Sequence, residues 1–149
     1  MKRILSLFVF TLCLIPAIAQ KDLNIAIYFS EPYKELTGSS VHIEGGDLTS
    51  YNLSLFRSIT ITPEGTPETS RKLLEKRVIK DGQLAIKKEV AMIGTQLYYG
   101  FYVLPSKGKI NRYIFYRNNL LKPEAKPQEI MLVYIEGKAS PTELKQIFK

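Results

Sequence analysis

The sequence contains no tryptophan, one histidine and one cysteine in 149 residues. Thiolate nucleophiles, disulfide frameworks and Cys-ligated metals all require cysteines in a folded setting. The single one, Cys13, lies inside an apolar run from Ile4 to Ile15. A zinc site needs three or four ligands, which one imidazole does not supply. His42 falls in the alternation Val41-His42-Ile43-Glu44, opposite the two apolar side chains. It reads as a solvated strand histidine, because no nucleophile motif such as Gly-x-Ser-x-Gly accompanies it. Ser39 and Ser40 fall in an expected turn with no catalytic partner in view. Glu44-Gly45-Gly46-Asp47 lacks the alternating acids of a calcium loop, and Gly100 and Gly108 form no phosphate cradle. The sequence therefore points to no cofactor and no metal.

Long apolar segments are also scarce. The run Ile4–Ile15 spans about 12 residues, whereas a membrane-crossing helix needs roughly 17–25. It follows Met1-Lys2-Arg3 and precedes Pro16 and Ala17-Ile18-Ala19. A positive start, a short apolar core and small residues at −3 and −1 are the layout of a secretory signal cleaved before Gln20. Phe10-Thr11-Leu12 before Cys13 do not suit lipidation, so Cys13 is read as part of the discarded leader. The expectation is a signal peptide over 1–19 and a single cysteine-free domain over 20–149, with no transmembrane segment left after cleavage. Such a chain is exported to the periplasm or cell surface. Without Lys2 and Arg3 the net charge falls from +7 to +5. Outside the cytoplasm, that excess favours an envelope protein or an anionic glycan over nucleic acid. Because the basic residues are scattered, it also serves plain solubility.

Periodicity then sets the fold class. Asp22 to Leu36 fits both a strand (Leu23, Ile25, Ile27, Phe29) and a helical face with Asp22 as cap, and the short helix is preferred. Thr37 to Ser40 reads as a turn and Val41–Glu44 as a short strand. Leu53, Leu55, Ile59 and Ile61 alternate with Ser54, Phe56, Ser58, Thr60 and Thr62, a half-buried strand. Thr66-Pro67-Glu68 reads as N-cap, N1 proline and acidic first turn. The helix runs to about Lys80 with Leu73, Leu74 and Val78 inward. Asp81-Gly82 is either its stop or a hairpin that recruits Val78-Ile79 into a strand.

A meander follows. Leu84, Ile86, Val90 and Met92 are expected on one face. Leu97, Tyr99, Phe101 and Val103 share a face of the next strand, with Tyr98, Tyr102 and Leu104 on its other face. Ile110–Arg117 and Glu129–Glu136 are apolar on both faces, the latter central. The short links imply antiparallel pairing. Ser140-Pro141-Thr142-Glu143 is a capping box opening a helix to Phe148, with Leu144, Ile147 and Phe148 inward. The fold class is α+β: a mainly antiparallel sheet of five to six strands with two or three helices.

The tail Ile130-Met131-Leu132-Val133-Tyr134-Ile135-Glu136-Gly137-Lys138-Ala139-Ser140-Pro141-Thr142-Glu143-Leu144 resembles the ending of a family of small exported proteins of Bacteroidetes-type bacteria, of unknown function. The resemblance extends to the order of elements, departs at Pro32, and implies an exported α+β fold without contributing a site residue. The candidate site comes from the meander instead. Tyr98, Tyr102, Tyr113 and Tyr116, with Arg112 and Arg117 and nearby Lys107 and Lys109, compose a cationic aromatic surface for an envelope protein or anionic glycan. The simpler account is that these rings fill the core. Two other readings stand beside a non-enzymatic binding domain: a small hydrolase using a carboxylate pair, and a homodimer that covers the second sheet face.

Overall fold

A computed structural model describes residues 22–30 and 38–147. The expected signal peptide, the turn residue Thr37 and the last helical residue Phe148 lie outside these. Among the described residues, no helix is long and apolar enough to cross a membrane, and no group of three or more His, Cys, Asp or Glu could hold a metal ion.

The elements are a 3₁₀ helix Asn24–Phe29, β1 Gly38–Glu44, a second 3₁₀ helix Gly46–Tyr51, β2 Leu53–Ile61, α1 Glu68–Gly82, β3 Lys87–Ile93, β4 Gln96–Lys107, β5 Ile110–Asn118, a one-turn 3₁₀ helix Asn119–Leu121, β6 Ile130–Gly137 and α2 Pro141–Ile147. The strands form one antiparallel sheet in the order β1-β2-β6-β5-β4-β3. β6 is interior, as its two-faced apolar pattern requires.

The pleat gives the sheet two packed faces. On one, α1 and the first 3₁₀ helix cover Ile59, Ile61, Leu132, Tyr134, Ile114, Tyr116, Tyr102 and Leu104, with Leu74, Val78 and Ile25 descending into them. On the other, α2 and the second 3₁₀ helix bring Leu144, Ala139 and Leu48 onto Val133, Ile135, Tyr113, Phe101 and Val103. These are called the α1 face and the α2 face.

The first 3₁₀ helix is held by Asp81. Its fully buried carboxylate accepts from Asn24 N at 2.8 Å, Asn24 Nδ2 at 2.6 Å and Ile25 N at 2.8 Å. Asp22 adds an ion pair to the buried Arg112, with Nη2 to Oδ1 at 2.9 Å. Arg77 donates to Tyr28 Oη at 2.9 Å and lies over its ring.

Several expectations require correction. β1 starts at Gly38, not Val41, because Gly38–Ser40 pair with Ile59–Ile61. α1 is preceded by Pro67, while Thr66 is buried rather than acting as its cap. The helix continues through Asp81-Gly82, so no hairpin forms there, and Leu73 faces outward at 41% exposure. Leu84, Ile86, Val90 and Met92 are all exposed, because β3 is an edge strand that α1 does not cover. In β4, Ala91 pairs with Tyr99 but Met92 with Leu97. The extra residue, Tyr98, forms a bulge that turns Leu97 onto the α1 face with Tyr102 and Leu104. A register shift between Leu53 and Leu55 likewise sends Leu53 to the α2 face, away from its expected companions. Ile147 is exposed and Leu144 is the buried anchor of α2.

Candidate functional site

The pairing registers fix which expected site residues can meet. Tyr102 and Tyr116 lie on the α1 face and are buried. Tyr116 is fully enclosed, and burial pushes its phenol well above the usual range. Tyr102 is raised as well, first by burial and then by the Glu75 carboxylate. Tyr113 is buried on the α2 face, where its hydroxyl donates to the Ala139 carbonyl. Arg112 is buried on the α1 side. Its Nε donates to Tyr134 Oη at 3.0 Å, and that hydroxyl donates to Glu136 Oε1 at 2.7 Å. Arg112, Tyr134 and Glu136 are linked in this way, and Arg112 also binds the Asp22 carboxylate, so the four form a structural network.

Tyr98 and Arg117 remain accessible. The half-buried Tyr98 sits in the bulge with Lys122 Nζ 4.3 Å from its ring centre. The exposed Arg117 lies over Tyr99 at 6.0 Å and Phe115 at 5.5 Å. The two rings meet edge to face at 5.5 Å. The six expected residues are thus divided between both faces and the bulge.

The α2 face nevertheless carries a smaller surface of the expected kind. Reading the registers across the sheet, one row is Ser39, Thr60, Met131, Arg117, Tyr99 and Ala91, and the next is Val41, Ser58, Val133, Phe115, Phe101 and Glu89. The seven described residues of α2 reach part of the second row, where Lys145 pairs with Glu89 and lies over Phe101. Beyond them, Tyr99, Phe115 and Met131 stay half-buried beside Arg117. Sequence reasoning overlooked Tyr99, Phe115 and Met131, although the parity of Tyr113, Phe115 and Arg117 was visible. The parity of Tyr99, Phe101 and Val103 in β4 was visible too, and the bulge at Tyr98 removed only Leu97 from it.

The other chemical readings find less. His42 Nε2 lies 3.3 Å from Glu44 Oε2 on the exposed strand β1. Two acids, Glu68 and Glu75, line a cleft beside α1. Hydrogen bonding to Lys72 holds Glu68 below the ordinary carboxylate range, the reverse of what a general acid needs. Glu75 Oε1 accepts from Leu97 N at 3.0 Å.

The architecture is α+β, with one antiparallel sheet whose second face is covered only in part by the described residues. Residues 12–148 match the model of a family of unknown function, DUF6108, and the chain belongs to that family. No curated protein and no solved structure matches it.

Proposed function

We propose that this chain is a non-enzymatic domain, exported by a Bacteroidetes-type cell to the periplasm or cell surface, that binds an envelope protein through the open part of its α2 face. The observation that carries the reading is Arg117 lying over Tyr99 and Phe115, beyond the reach of the described residues of α2. Aromatic rings and arginine concentrate binding energy when a partner desolvates them, and Met131 adds an adaptable apolar contact. A sheet face bearing phenylalanine and methionine around one arginine suits a protein better than a glycan. Export is supported by the charged start, apolar core and Ala-Ile-Ala pattern of residues 1–19.

The test is site-specific photocross-linking in the native host. A photoreactive phenylalanine at Phe115 should trap one discrete envelope protein, and the same probe at exposed Lys76 on α1 should not. Arg117→Glu should abolish the adduct. Equal labelling from both positions, or an adduct indifferent to Arg117, would contradict the reading. An adduct with a second copy of the chain would replace it with the homodimer. Periplasmic fractions should contain a chain beginning at Gln20.

A further inference from the structure

The cleft beside α1 is lined by an arginine with one unpaired nitrogen among the described residues. Its walls are the exposed side of the first α1 turns and the segment that follows β5, and its volume is about 150 Å³. Arg71 lines it as a half-buried residue whose Nε is buried and, among the described residues, has no hydrogen-bond partner. The two acids of the same cleft have partners of their own. Glu68 binds Lys72 Nζ at 2.8 Å, and Glu75 binds the Leu97 amide. Asn118 Oδ1 is taken by Leu120 N at 3.1 Å. The remaining wall is Gln96 together with the apolar side chains of Leu120, Leu121 and Ile130.

We propose that this cleft binds a small carboxylate bearing a short apolar chain, with the anion on Arg71 and the chain against Leu120, Leu121 and Ile130. A buried donor left unpaired lowers stability, and an arginine fork matches a carboxylate in shape as well as charge. At about 150 Å³ the cleft suits a small molecule rather than a polymer. The lining is balanced, with Arg71 and Lys72 against Glu68 and Glu75. Long-range steering is therefore weak, and affinity rests on the short contacts at Arg71. The apolar wall is preformed: Gln128 Nε2 donates to the carbonyls of Asn119 at 3.0 Å and Lys122 at 2.8 Å, which pins the turn carrying Leu120 and Leu121. Preorganisation of that kind lowers the ordering cost of binding.

The experiment titrates the purified protein at neutral pH with butyrate, acetate and butyramide through the millimolar range. It follows the Arg71 Nε–H resonance and the methyl resonances of Leu120, Leu121 and Ile130. Butyrate should shift all of them saturably and raise the melting temperature. Acetate should move the Arg71 signal with little effect on the methyls. Butyramide, neutral and of the same shape, should need a several-fold higher concentration. Arg71→Met should lose the butyrate response. Leu121→Trp, which fills the cleft and keeps the arginine, should lose it as well, so a poorly folding arginine variant does not spoil the test. Unmoved resonances, equal responses to butyrate and butyramide, or an undiminished response in both variants would overturn the proposal.

Discussion

At the residue scale, Tyr102 shows how one ring dictates two glycines. Its ring lies against Gly82 at the end of α1 and against Gly100 in its own strand, where a Cβ would come within 2.6 Å of Tyr102 Cε2. A Cβ on Gly82 would also overlap the ring. The sequence displayed Asp81-Gly82 as a stop or a hairpin, because a contact with a side chain twenty residues later leaves no local trace. Gly82→Ala makes the opposing effects measurable. Alanine is favoured over glycine inside a helix by about 1 kcal/mol. Overpacking a full site costs about 1–3 kcal/mol, and here the ring is blocked on its other side by Gly100. The clash should win. Gly82→Ala should lower the denaturant midpoint, and Tyr102→Leu should lose much less stability in that background than in the wild type. A double-mutant cycle without coupling would show that the two residues do not share this space.

At the element scale, legibility followed how local the determinants were. α2 was readable because its cap is written within four residues. Glu143 N donates to Ser140 Oγ at 3.2 Å, and Ser140 N donates to Glu143 Oε2 at 2.6 Å. Ser140→Ala should cost about 1 kcal/mol, read from the denaturant midpoint. The bulge at Tyr98 was not readable, since the Leu97-Tyr98-Tyr99 run is equally apolar with or without it, and Leu97 was therefore given the face of Tyr99 rather than that of Tyr102. The first 3₁₀ helix lies between these cases. Its sequence fits two periods, and the decision is made by Asp81, 56 residues away from Ile25. Asp81→Ala leaves the Asn24 and Ile25 amides without their acceptor. The loss of bonds to a charged group should destabilise the chain by about 3 kcal/mol. Amide exchange should accelerate first at Ile25 to Tyr28, ahead of β5 and β6. Uniform acceleration across the sheet would show that the segment is not an independent latch.

At the scale of the whole molecule, the sheet order β1-β2-β6-β5-β4-β3 joins a local meander to a distant pair. The meander and the interior place of β6 follow from short links and two-faced apolarity. The β2–β6 pairing closes across α1 and three strands, and nothing local announces it. One consequence of closing the sheet is that tyrosines from three strands lose their water together. Tyr102, Tyr113, Tyr116 and Tyr134 are buried, and in each burial is the first cause raising the phenol above its ordinary range. An unfolded tyrosine ionises near pH about 10. Between that pH and the higher folded values, the unfolded state gives up protons that the folded state keeps. The stabilisation from these phenols is therefore complete below about pH 10 and falls as pH rises further. The folded protein should hold its denaturant midpoint up to that region and then lose it with a slope set by several protons. Phenolate absorbance should rise in two steps, the second coinciding with loss of the sheet signal by circular dichroism. A single absorbance step completed while the sheet persists would mean that these rings reach water in the folded state.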